Sequence, residues 1–194
     1  TGPLESTGFV RAANGWICYL PIPWNAETGN TELTVTADGY TETLTLSVRA
    51  ASYSYKDYSA KSQLTSPYIG ADDAPDAVRR LLTTDGGEIQ WATGGFVQPF
   101  LDSFDTPLLY GMTEYVGRSY SERSTNYGYG GRTSTNVVIK PKKSKDSMIV
   151  PASGHVLLAE GLGGSYGYTV VIDHGAGLRS IFYGLTALDV EAGD

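Results

Sequence analysis

Two histidines, one cysteine and a scatter of carboxylates hold the side-chain chemistry of this 194-residue chain. His174 follows Asp173, an adjacency that invites a nucleophile–His–Asp triad. Neighbouring residues of a strand point to opposite faces, so Asp173 cannot orient its neighbour's ring as such a triad requires. His155 heads the apolar run Val156-Leu-Leu-Ala159 and reads as an exposed residue at a strand end. Cys18 lies in Gly15-Trp-Ile-Cys-Tyr-Leu-Pro-Ile22, where a free thiol is expected to behave as a small buried hydrophobe. Asp72, Asp73 and Asp76 cluster without the alternating oxygen ligands of a calcium loop, and helix capping accounts for them. Asp105, Glu114, Glu122 and Asp146 are carboxylates of the kind glycoside hydrolysis uses in pairs, but nothing in the sequence fixes their separation. The glycine-rich run 161–167 leads into Tyr168-Thr-Val-Val-Ile172, a strand, and not into the helix whose N-terminus would meet a phosphate.

Two longer stretches carry more. Tyr168-Thr-Val-Val-Ile-Asp-His-Gly-Ala-Gly-Leu-Arg-Ser-Ile-Phe-Tyr-Gly-Leu185 resembles the strand–turn–strand of the lysostaphin-like zinc endopeptidases, V-I-I-D-H-G-x-G-L-x-T-x-Y-x-H-L. Thr135-Asn-Val-Val-Ile-Lys-Pro-Lys-Lys-Ser-Lys-Asp-Ser-Met-Ile-Val-Pro-Ala-Ser-Gly154 fits the same family's H-x-G-x-D-x-x-x-P-x-G-T-P-V-x-A-P-x-x-G without a gap. The resemblance implies a zinc site, and this sequence departs from it at each position it covers. The first ligand His falls on Thr135, the ligand Asp on Ile139 and the assisting His on Gly184. In an extended chain residues four apart share a face, so the motif aims both of its ligands at one ion. Zinc takes imidazole nitrogen, thiolate or carboxylate; isoleucine and glycine offer no donor, and a neutral threonine hydroxyl is a poor one. No catalytic residue, metal ligand or cofactor is therefore expected here, although active relatives carry zinc.

The resemblance extends to domain order. Residues 1–52 are expected to form a small immunoglobulin-like β-domain, 53–95 a connection with a short helix, and 96–194 a degenerate lysostaphin-like domain. The fold class is all-β: a small sandwich-like N-terminal domain, then an open barrel or sandwich. Leu33, Val35 and Ala37 alternate with polar residues, as do Leu44, Leu46 and Val48, and Asp38-Gly39 between them marks a hairpin. Residues 16–23 read as a further strand, and Tyr53, Tyr55 and Tyr58 as a crossing strand. The run 73–82 reads as a helix capped by Asp73, with Pro75 in its first turn and Val78, Leu81 and Leu82 on one face. Strands are expected at 136–140, 147–151, 155–159, 168–173 and 178–183. The chain opens on Thr1 and stops at Asp194, where the family continues into a strand bearing a His-x-His ligand motif; both ends read as those of a fragment.

Bulk properties narrow the partners. A net charge of −7 argues against nucleic acid, whose binding is driven by Lys and Arg neutralising phosphates. Lys140-Pro-Lys-Lys-Ser-Lys145 reads as a solvated turn, with contact to an acidic polymer or a partner's carboxylate as the other reading. No run of about 18 apolar residues exists, so a membrane is reached only through an anchor outside this sequence. Tyr127 and Tyr129, in the Tyr/Gly/Ser-rich stretch 119–131, and Arg132 just after it have the composition of binding hot spots, and His174 is a fourth candidate for the wall of a groove. The resemblance implies a pseudo-peptidase of a bacterial cell envelope that binds a cell-wall enzyme, an envelope partner or a peptidoglycan fragment. The alternatives are a zinc endopeptidase with rearranged ligands and a carbohydrate- or peptide-binding module.

Overall fold

A computed structural model describes residues 9–84, 89–117, 131–143 and 147–194. Twelve short strands and one short α-helix make up the regular structure of these residues, an all-β architecture without a closed barrel. β1 (Val10–Ala12) and β2 (Gly15–Ile17) form a small hairpin, and β3 (Gly29–Ala37) and β4 (Tyr40–Val48) a longer one. Asp38 and Gly39 join β3 to β4 at φ +49° and +81°, the two left-handed residues that a tight hairpin turn demands. β2 stops well short of the expected 16–23 because Pro21 and Pro23 have no N–H to give a ladder. Cys18, just past its end, is half-buried and does not sit in a core strand.

The centre of the molecule is an antiparallel sheet of β10 (His155–Gly163), β11 (Gly167–Asp173) and β12 (Arg179–Leu185), with β11 in the middle. Thr169 to Asp173 are buried on both faces, consistent with the near-continuous apolar run Val170-Val171-Ile172. On one face Val171 packs with Ala74 and Val78 of the helix segment; on the other Val170 and Ile172 pack with Phe182, Leu188 and Val190. The sheet is thus a layer between the helix α1 (Asp76–Leu82) and the C-terminal residues.

The N-cap of α1 falls two residues later than expected. Asp73 belongs to a separate 3-10 turn, Ala71–Asp73, and its Oδ2 accepts from the Gly70 N–H at 3.2 Å. Pro75 then occupies the N-cap, where it offers no side-chain oxygen. Val78 is fully buried and Leu81 half-buried against the sheet, whereas Leu82 faces outward.

Two further sheets lie alongside. β6 (Phe104–Leu108) pairs with β9 (Val138–Pro141). β5 (Tyr55–Tyr58) runs parallel to β7 (Thr113–Val116), which pairs antiparallel with β8 (Arg132–Thr133). Alternation gives this last sheet two unlike faces. Lys56, Tyr58, Glu114 and Arg132 share one face; Tyr55, Asp57, Thr113, Tyr115 and Thr133 share the other. The strand expected at 147–151 is an extended segment without a ladder. Its neighbour is bonded only at Val97 N–H to Pro151 O and Ile149 N–H to Pro99 O, both 2.8 Å, because the facing prolines cannot donate in return.

Candidate functional site

The three positions at which the resemblance placed zinc chemistry are held by different backbone devices. Ile139 is in β9 and half-buried. Thr135 is exposed and lies in a bend before that strand begins, so the shared extended face expected for 135 and 139 is not formed. The cause is Ser134: its buried hydroxyl donates to Asn136 O at 2.6 Å and accepts from the Asn136 N–H at 3.3 Å, and such local side-chain bonds turn a chain out of its ladder. Gly184 lies in β12 at φ +75°, opposite a register shift between Tyr168 and Val170. Its left-handed backbone is one that residues with a Cβ rarely adopt.

His174 closes the end of β11, and several hydrogen bonds hold its turn. Asp173 Oδ1 accepts from the Gly175 N–H at 2.9 Å, so this carboxylate caps the turn and does not orient the imidazole. The His174 carbonyl accepts from the N–H groups of Trp91 (2.9 Å) and Ala92 (3.2 Å). The ring is 1% exposed. Its Nδ1 lies 2.8 Å from Ser153 O, and a carbonyl only accepts, so Nδ1 carries a proton. Nε2 lies 2.8 Å from the Ser180 hydroxyl, which in the neutral tautomer donates to it. Phe96 stands edge-on to the ring at 5.0 Å. The ring is an internal tie between three segments, and a place for it on a groove wall is not formed in this structure. His155 is exposed at the start of β10, with Nδ1 3.1 Å from Asp194 O.

Glu114 and Arg132 form the densest polar cluster, one that sequence spacing did not bring together. They face each other across β7 and β8 and form an ion pair. The Glu114 side chain is wholly buried. Its Oε1 accepts from Thr65 Oγ1 at 2.5 Å, Thr65 N–H at 3.0 Å and the Tyr58 hydroxyl at 3.2 Å. Burial alone would raise the Glu114 pKa, but the bonds from Thr65 and Arg132 and the guanidinium charge outweigh it and hold the carboxyl below its ordinary value. Burial and the Glu114 charge push the Tyr58 hydroxyl up. Arg132 also donates to Thr65 O at 2.8 Å and lies over the Tyr68 ring, 4.0 Å from its centroid. Arg132, expected at a binding surface, is therefore committed to a buried ion pair, and Glu114 is a paired carboxylate instead of a hydrolytic acid. Of the binding candidates, Tyr127 and Tyr129 lie outside the described residues, as do Glu122 and Asp146.

Among the described residues three further ion pairs lie at the surface. Asp76 accepts from Arg79 at 3.0 Å, Lys142 lies 3.5 Å from Asp105 and Lys143 pairs with Asp102. Acids of the 102–105 segment thus offset two cations of the basic run. Among the described residues no three His, Cys, Asp or Glu side chains come together as a metal would need. The donor set Thr135, Ile139 and Gly184 does not fit zinc either.

The fold can be placed. It is similar to the structure of a protein from Pseudomonas aeruginosa described as a "putative peptidase M23", with a TM-score of 0.51 over 96% of this chain. This is a peptidase M23-like fold. The two chains are 21% identical, and this chain spans 65% of the length of the other. Neither a family model nor a curated protein matches the sequence. Among the described residues no helix is long and apolar enough to cross a membrane.

Proposed function

We propose that this chain is a non-catalytic, peptidase-like binding module of a bacterial cell-envelope protein. It docks a cell-wall enzyme, another envelope protein or a peptidoglycan fragment, and an anchor outside this sequence holds it at the membrane. The division into a small β-domain over 1–52, a connection over 53–95 and a peptidase-like domain over 96–194 belongs to the same reading. One observation carries it: an M23-like scaffold has Thr135, Ile139 and Gly184 where the resemblance puts two ligands and a proton carrier.

Purified without chelator, the protein is expected to hold no stoichiometric zinc and to release no chelator-sensitive peptide from purified cell walls. Zinc-bound water reaches a pKa of about 7 and becomes a nucleophile at neutral pH, so stoichiometric zinc together with wall cleavage would install the endopeptidase reading in its place. Replacing Thr135 by His, Ile139 by Asp and Gly184 by His is expected to leave the chain inactive, since the bend and the positive φ separate the restored side chains from the geometry they need.

Tyr127→Ala with Tyr129→Ala is expected to abolish retention on cell-wall material or an envelope partner while the melting temperature moves little. Arg132 is left intact, because its loss disturbs the Glu114 ion pair. Undiminished retention, or a large loss of stability, would remove these tyrosines from the binding role.

A further inference from the structure

Asn14 and Gly15 lie at the tip of the small β1–β2 hairpin. The strands pair as Val10↔Ile17, Arg11↔Trp16 and Ala12↔Gly15, so Ala13 and Asn14 form the turn. Asn14 and Gly15 are both exposed, and Trp16 beside them is 68% exposed. Gly15 sits at φ +139°, and nothing lies within 4 Å of the place a Cβ would take. Of the asparagines at 14, 25, 30, 126 and 136, Asn14 alone precedes a glycine. Asn136 shows the opposite setting: its Nδ2 donates to Ile69 O and its backbone N–H to Ser134 Oγ.

An asparagine followed by glycine can react with its own backbone. The Gly15 nitrogen, having given its proton to hydroxide, adds to the Asn14 side-chain carbonyl carbon. The adduct takes up a proton and expels the side-chain nitrogen as ammonia, leaving a five-membered succinimide. Water then opens the ring. Addition at Cγ gives aspartate, and addition at the Asn14 main-chain carbonyl gives isoaspartate, with the chain rerouted through the side chain. The sum is asparagine plus water to a carboxylate residue plus ammonia, with nothing oxidised or reduced. A Cβ on the following residue crowds this closure, and Gly15 has none. The ladder that would hold the Gly15 backbone still is short. It has three residue pairs, and among the described residues its one further strand contact is the bridge from Arg11 to Ile89. A two-stranded hairpin is at best marginally stable by itself. We propose that Asn14 is a site of spontaneous succinimide formation, and that its isoaspartyl product undoes the pairing of β1 with β2. Isoaspartate adds a methylene to the main chain of a two-residue turn, and loop length fixes the register of a hairpin. Val10, at 6% exposure, is the buried residue that this register holds in place. Each conversion also adds a negative charge to a chain already at −7.

The test incubates the whole 194-residue chain at neutral and at alkaline pH and follows its peptides by mass spectrometry. The peptide holding Asn14 is expected to gain about one dalton, faster at the higher pH, and to resolve into aspartyl and isoaspartyl forms. Methyl transfer by a protein-isoaspartate methyltransferase identifies the second form. Gly15→Ala is expected to slow the gain roughly ten-fold. Asn14→Asp, which supplies the ordinary product, is expected to keep the amide NMR positions of 10–17, whereas the isoaspartyl fraction loses them. If Gly15→Ala misfolds, the pair of products in the unaltered chain decides alone. No gain at Asn14, an earlier gain at Asn25 or Asn30, aspartate without isoaspartate, an unchanged rate in a folded Gly15→Ala chain, or unmoved amides in the isoaspartyl fraction each overturns the assignment.

Discussion

Gly175→Ala is expected to lower the melting temperature by roughly 10 °C, a large effect for one methyl group. A Cβ at Gly175 would lie 1.9 Å from Ile89 O and 2.8 Å from Gln90 Cα, and the residue sits at φ +83°. The atoms it meets are backbone, so neither can swing aside as a side chain would. Backbone strain of about 1–3 kcal/mol adds to an overpacking cost of about 1–3 kcal/mol. At ~2–4 °C per kcal/mol for a chain of this size the sum gives the predicted shift. The neighbouring segment is also the one that donates from Trp91 and Ala92 to His174 O, so relief of the clash breaks the cover of the turn. Gly184→Ala is the control. It also has a positive φ, and nothing lies within 4 Å of its Cβ, so its cost is expected at about 1–2 kcal/mol. Equal melting shifts for the two variants would show that the 89–92 segment does not press on the turn.

The second large effect is expected from Arg132→Ala, at about 3–5 kcal/mol, the usual cost of removing one partner from a buried ion pair. Glu114 would keep its bonds to Thr65 and Tyr58 but lose its countercharge while its own side chain stays buried. Removing both charges in Glu114→Leu with Arg132→Met is expected to cost less than the single change, because no orphaned charge remains. A double variant at least as unstable as Arg132→Ala would mean that the guanidinium acts through packing on Tyr68 alone. The pair also sets an acid response. The Glu114 pKa is depressed in the folded chain, so its contribution is complete above the unfolded value of about 4.3 and is lost as pH falls through the folded value. Glu114→Gln is expected to flatten that part of the stability profile below about pH 4, as read by denaturant unfolding at pH 7 and pH 3.

Local chemistry made much of this fold readable. Asp38-Gly39 dictates its turn through two residues tolerant of positive φ, and the β3–β4 register follows from it. The run 168–173 is read correctly because its apolar side chains serve both faces of a central strand. Misreadings arise where a neighbour competes for the same backbone. Ser134 bends the chain before Ile139, and prolines at 21, 23, 99 and 151 withhold the donors that two expected strands needed. Asp73 was read as a helix cap, but a preceding turn already holds its carboxylate. By residue type alone, Glu114 suggests an acid and Arg132 a binding contact. Their pairing spans 18 positions across two strands, and no local pattern announces a partner at that distance. That Thr135, Ile139 and Gly184 offer zinc no ordinary donor is legible from side-chain type alone.

The β3–β4 hairpin has a consequence for how this molecule opens. Its two strands pair with each other and, among the described residues, with no third strand, and most residues of β4 are exposed. A two-stranded ribbon is at best marginally stable by itself, whereas β11 is buried between two layers. Amide protons of residues 30–47 will therefore exchange with solvent through local separation of the ribbon, at a small fraction of the free energy that guards 169–173. The chain is thus expected to open in at least two cooperative units, with a calorimetric transition reporting the one built around β11.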